Sequence, residues 1–175
     1  MTQGNRRIDR IRDPAYLEGV GELSLEDLRA RRDECHAERE YLSLLRRLVQ
    51  GRAEILQAEL ASRGGEGDAG PLVDRLAQIL AGDEPQPEAR GEAVRVGLPE
   101  EEMLLARRRV ERIVADAQLS DPSGLDDEKL AETVAMLADE ERQVSEARAD
   151  VIRVLDVLQD ELKRRYKDDP TLALR

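Results

Sequence analysis

Aromatic residues are nearly absent. The 175-residue chain has three Tyr, no Phe and no Trp, an aromatic share of 2%. A compact enzyme core with a deep pocket leans on aromatic area, so the composition speaks against one. Cysteine and histidine occur once each, as Cys35 and His36. A single thiol excludes an intramolecular disulfide, and a zinc site wants about four Cys or His ligands. No apolar run approaches the ~20 residues of a membrane span, and Met1–Arg7 lacks the apolar core of a signal sequence. The reading is a soluble, cytoplasmic protein with no metal and no membrane contact. Positive charge is in deficit: 28 Lys and Arg against 39 Asp and Glu leave a net charge of −11. That disfavours direct binding to DNA or RNA and fits a basic protein partner. Gly64-Gly65-Glu66-Gly67 lacks the Lys-Ser/Thr that completes a phosphate-binding loop and reads as a hinge. With no nucleophile–base constellation either, enzymatic activity is not expected.

What is abundant is Leu, Ala, Glu and Arg, the composition of long helices that bury one stripe each. The chain also repeats itself. Shifting it by 102 residues aligns Leu23–Arg63 with Leu125–Arg165 without a gap, and 12 of the 41 positions are identical. They include Leu28/Leu130, Glu38/Glu140, Ser43/Ser145, Arg46/Arg148, Val49/Val151, Leu56/Leu158, Glu59/Glu161 and Arg63/Arg165. A gapless run of this kind points to duplication and fusion. In the first copy Leu28, Cys35, Leu42, Val49 and Leu56 recur every seven residues. Leu130, Leu137, Val144, Val151 and Leu158 do so in the second. These are coiled-coil seams, started by the N-cap residues Ser24 and Asp126.

The predicted fold is all-α: an antiparallel two-helix coiled-coil hairpin from an internal duplication, with short linker helices. Residues 1–22 are expected to be a flexible tail, 23–63 the first repeat helix and 64–124 the linker. Within the linker, short helices are expected near 71–81 and 99–119, the second carrying Leu105, Val110, Ile113 and Val114 on its apolar face. Residues 125–166 form the second repeat helix, and 167–175 a flexible end.

The repeat also preserves polar positions that a seam does not need. Arg39, Ser43, Arg46, Gln50 and Glu54 are spaced 4, 3, 4 and 4 residues apart, and Glu141, Ser145, Arg148, Ile152 and Asp156 follow the same spacing. Such steps keep all five on one side of a helix, on one flank of the Leu seam. Charged residues beside a seam often serve only to pair across helices and set register. The duplicated Ser-x-x-Arg weighs against that reading, since serine is a mediocre helix residue. The chemistry suits a guanine nucleotide. Arginine donates a bidentate pair to guanine O6 and N7, and guanidinium planes stack on bases and neutralise phosphate. A carboxylate accepts from guanine N1–H and N2–H₂, and Ser and Gln bond phosphates or base edges.

The stripe resembles the motif E-x3-S-x2-R-x3-Q-x3-D of the RsiG family, in its form with two copies in one chain. The resemblance covers residues 23–63 and 125–165. It implies an anti-sigma factor that binds cyclic di-GMP, two molecules on the coiled coil, and thereby holds a sporulation sigma factor of the WhiG type. Carried over by position, the second copy supplies Glu141, Ser145, Arg148 and Asp156, with Ile152 in place of the motif's Gln. The first supplies Ser43, Arg46, Gln50 and Glu54, with Arg39 in place of the first Glu and Glu54 a longer stand-in for Asp. The protein is expected to be a monomer by itself and a heterodimer with the sigma factor.

Two other readings stand beside it. One is a ligand-free helical-hairpin adaptor, in which the stripe tolerates alanine. The other is an intermolecular coiled coil, in which each repeat pairs with another chain. Cys35 sits on the seam and is expected to be a buried thiol, with His36 on the surface. Arg107-Arg108-Arg109 reads as a solvated helix face.

Overall fold

The computed structural model describes residues 6–64, 98–116 and 126–174. The described residues contain helices and turns and no strand. In order they are α1 (Arg7–Ile11), two 3-10 turns (Pro14–Leu17 and Val20–Glu22), α2 (Leu25–Arg63), α3 (Glu100–Asp116), α4 (Asp127–Asp168) and a last 3-10 turn (Pro170–Leu174). α2 and α4 have 39 and 42 residues, about 60 Å each at ~1.5 Å per residue. They are the two repeat helices, and they pair antiparallel. The helix expected near 71–81 lies outside the described residues, as do positions 117–119 of the one expected over 99–119.

The two long helices start alike. Ser24 Oγ accepts from the Asp27 N–H at 3.0 Å, and Asp126 Oδ1 accepts from the Lys129 N–H at 2.8 Å. These are repeat-equivalent caps, each satisfying one of the donors that a helix start leaves open. The seam is the core. All ten heptad residues read from the sequence are buried, at 0–3% exposure. Leu45, Ala147, Leu155 and Leu162 widen it. The row three residues after each seam position is unusually polar, with Arg31, Glu38, Arg52 and Glu59 on α2 and Thr133, Glu140 and Glu161 on α4. Thr133 is buried and donates its hydroxyl to the Lys129 carbonyl at 2.8 Å, the local solution for a threonine inside a helix. Glu38 is buried as well, and needs a cation.

The chain divides into two compact units, Met1–Ser43 with Val144–Arg175, and Leu44–Gln143. In the first, Arg29 Nε donates to the Tyr166 hydroxyl at 3.0 Å, the His36 and Gln159 side chains meet at 3.5 Å, and Arg148 Nε donates to Ser43 Oγ at 2.9 Å. The numbers rise on α2 as they fall on α4, which is the antiparallel sense. His36 is thus half-buried against Gln159, not a plain surface residue.

The sequence expectation of a flexible tail over residues 1–22 is corrected in this unit. From Arg6 onward that stretch is folded onto it. Ile11 is buried. Arg7 pairs with Glu38 at 2.5 Å, Arg10 with Glu34, and Arg12 with Asp150 at 2.8 Å. Tyr16 donates to Glu34 at 2.8 Å while Arg31 lies over its ring, 5.3 Å from the centroid. Gly19, at φ 64°, supplies the left-handed turn into Val20–Glu22. Arg165 from α4 then donates to the Leu23 carbonyl at 2.6 Å and to the Val20 and Gly21 carbonyls at 3.1 Å. The C-terminal end is folded too: Arg29 Nη2 donates to the Leu172 carbonyl at 2.7 Å. Both ends are held mostly by guanidinium contacts, which leave no apolar period in the sequence.

In the second unit, α3 packs through Ala106 and Val110, both buried, and Arg109 pairs with Glu140 at 2.8 Å. Leu105, expected on the apolar face, is 55% exposed. The buried face instead steps by four residues from Ala106 to Val110, which turns Leu105 outward. Arg107 and Arg108 are exposed as expected, whereas Arg109 is drawn inward by its carboxylate. At the end of α2, Arg63 joins Glu59 at 2.9 Å and Asp127 at 3.2 Å.

Candidate functional site

A stripe stepping 4, 3, 4 and 4 residues along one helix can meet its copy only if the second helix presents the same flank. Antiparallel pairing does this in each unit. In the first, Ser43 of α2 meets Arg148 of α4 across the pair. Ser43 is used twice: its hydroxyl donates to the Arg39 carbonyl one turn back at 2.8 Å and accepts from Arg148 Nε at 2.9 Å. Arg39 is half-buried and pairs with the neighbouring Glu40 at 3.0 Å. Ser145 and Ile152 are half-buried in this unit, and Asp156 is exposed.

In the second unit the meeting point is a carboxylate. Glu141 Oε1 accepts from Gln50 Nε2 at 3.3 Å and lies 3.6 Å from Arg46 Nη1. Arg46 keeps 42% of its side chain exposed, so its guanidinium remains open to solvent while it touches Glu141. Glu54 is exposed and stands apart from these contacts.

The structure thus brings together Ser43 with Arg148, and Arg46 and Gln50 with Glu141. It leaves Glu54 and Asp156 as outward-facing acids. The two sets differ in charge. The first unit's holds two guanidiniums, Arg39 and Arg148, and one carboxylate, Asp156. The second's holds one guanidinium, Arg46, and two carboxylates, Glu54 and Glu141. The Arg148–Ser43 bond uses Nε, one of the five donors that a guanidinium carries in a rigid fork.

Two groups nearby had no assigned role in the sequence. Glu38 and Glu140 are repeat equivalents on the row beside the seam, and each receives an arginine from outside the repeats, Arg7 and Arg109 respectively. The signal was an identical acid at a position facing the core in both copies. The second group surrounds Cys35. Burial raises its thiol to about 11, with the Tyr16 hydroxyl 3.9 Å from its sulfur opposing that rise. Burial also pushes the Tyr16 phenol up, helped by its bond to Glu34. A thiol held protonated is a poor nucleophile, so Cys35 is core. At the end of α4, Glu161 lies between Arg164 and Arg165, whose hydrogen bonds hold its carboxyl down to about 2.

No helix among the described residues is long and apolar enough to cross a membrane. No curated protein was found to match the chain. A family model described as RsiG-like matches residues 14–80. That span takes in the two 3-10 turns, all of α2 and therefore the whole first copy of the stripe. Twelve identities tie the second copy to the first. Over residues 14–80, the stretch that carries the first stripe, the chain is similar to the RsiG-like family.

Proposed function

We propose that the protein is an anti-sigma factor whose grip on a WhiG-type sigma factor depends on cyclic di-GMP, with about two nucleotides taken by the twin stripes of the hairpin. The observation that carries this reading is the engagement of one motif copy by the other, Ser43 on α2 with Arg148 on α4. It stands on a chain whose first copy lies within an RsiG-like match. In this reading Arg46 and Arg148 are the principal base or phosphate contacts, with Ser43 and Ser145 assisting. Glu54 and Asp156, which face outward, accept from guanine. The control is linkage. A nucleotide that binds the sigma complex better than the separate proteins stabilises the complex by that difference, and its loss releases the sigma factor.

Titration calorimetry with cyclic di-GMP, beside GTP and cyclic di-AMP, tests this with and without a WhiG-type sigma factor. The expected result is selective binding of cyclic di-GMP and a tighter sigma complex in its presence. The double variant R46K/R148K keeps the charge and removes the bidentate fork, so its affinity should fall by about tenfold or more, a loss of ~1–3 kcal/mol per base contact. Unchanged affinity in that variant refutes the assignment.

One observation favours a second reading, the ligand-free adaptor. The Ser43–Arg148 bond gives each of the two side chains a partner within the protein without any ligand. Under that reading Ser43→Ala and Arg148→Ala change stability by about 1 kcal/mol and leave sigma binding indifferent to nucleotide.

A further inference from the structure

The two departures from the motif, Arg39 and Ile152, fall in the same place. In the first unit Ser43 meets Arg148. One turn back along α2 is Arg39, and one turn on along the antiparallel α4 is Ile152, so the two occupy opposed positions in the pair. Their repeat equivalents in the second unit are Glu141 and Gln50, and these hydrogen-bond across the helices at 3.3 Å. The first and fourth motif positions are therefore mutual partners, and in the first unit both have changed.

The physical reason is one of partners. A glutamate opposite Ile152 would be a half-buried carboxylate facing an alkyl group, without the amide donor that Gln50 gives Glu141; removing a charge from water without a partner is unfavourable. An arginine avoids this. Its alkyl stem can lie along Ile152, and its guanidinium, on a side chain 22% exposed, pairs with Glu40 at 3.0 Å. The exchange also replaces an acceptor with a donor. Together with Arg148 it gives the first unit two cations on the stripe, where the second unit has one.

We propose that Arg39 and Ile152 are a coupled exchange that turns the first unit's half of the stripe into a phosphate-reading site, with Arg39 a specificity-determining contact. The second unit keeps the carboxylate–amide pair, so the two units offer an anion unequal contacts. This inference rests on the nucleotide reading above.

Three variants test it, each followed by thermal unfolding and by cyclic di-GMP titration at two salt concentrations. R39E alone should lower Tm by about 2–4 °C, cut affinity about tenfold or more, as expected for loss of a charge-assisted contact, and flatten the salt dependence. R39K should retain most of the affinity. R39E/I152Q rebuilds the second unit's pair in the first, so it should recover Tm and not affinity. Recovery of both by the double variant makes position 39 structural and overturns the inference. An R39E affinity equal to wild type, or a Tm that Ile152→Gln fails to restore, overturns it equally. Absence of nucleotide binding by the wild-type chain, alone and with sigma factor, is a different result: it defeats the functional reading itself, and this inference falls with it.

Discussion

In the first unit Glu38 is held by Arg7, from a five-residue helix that precedes the hairpin; in the second its repeat equivalent Glu140 is held by Arg109, from a helix in the connection. The sockets are copies of one another and the arms are not. The ends show the same relation. Arg63 and Arg165 are identical in the repeat, and each bonds the glutamate one turn back, Glu59 or Glu161. Each also reaches the opposite helix start, Arg63 through the Asp127 carboxylate and Arg165 through the Leu23 carbonyl. A duplicated hairpin thus keeps a carboxylate socket and an arginine latch in each unit, and fills them with whatever chain passes nearby. The first unit adds more: the Tyr16–Glu34–Arg31 cluster and the Arg29–Tyr166 contact have no counterpart among the described residues of the second.

The strongest challenge to this equivalence is in the seam. Leu28→Ala and Leu130→Ala remove repeat-equivalent, fully buried side chains. Each should destabilise by about 2–5 kcal/mol, read by denaturant unfolding. Equal losses sharpen the parallel; a much smaller loss for Leu130 would break it.

The arms come next. Arg7→Ala and Arg109→Ala each withdraw a cation from a carboxylate with little access to water, at about 1–3 kcal/mol. Hydrogen exchange should show protection lost from α1 in the first case and from α3 in the second, with the seam intact. Arg7→Ala should cost more, because Glu38 is the more deeply buried acid, with a side chain 5% exposed against 15% for Glu140.

The caps give the smallest effect. Ser24→Ala and Asp126→Ala should each cost about 1 kcal/mol, with fraying confined to the first turn of α2 or of α4 by helical chemical shifts. A larger loss for Ser24 would show that the Leu23 carbonyl contact with Arg165 depends on that cap.

Much of this was legible before any coordinates. Heptad spacing picked out ten residues and all ten are buried, because an apolar period of seven can be hidden only against another helix. The two caps were legible because Ser and Asp have a local job there. The folding of residues 6–23 was not legible. Its bonds run from arginines to carboxylates and carbonyls far along the chain, and charged residues look the same in sequence whether they face water or a partner. Leu105 misled for a related reason: its hydrophobicity is evident, but the rotation of α3 is set by Ala106, Val110 and the Arg109–Glu140 pair.

The sequence by itself determined the duplication, the helical seam and the residues of the stripe, since each is a periodic property of one chain read locally. The antiparallel sense was already expected; that sense and the register were fixed only in the tertiary structure. They bring Ser43 to Arg148, Gln50 to Glu141 and Arg39 opposite Ile152, because which side chains meet depends on how one helix slides and points against the other, and no residue on a single helix carries that information.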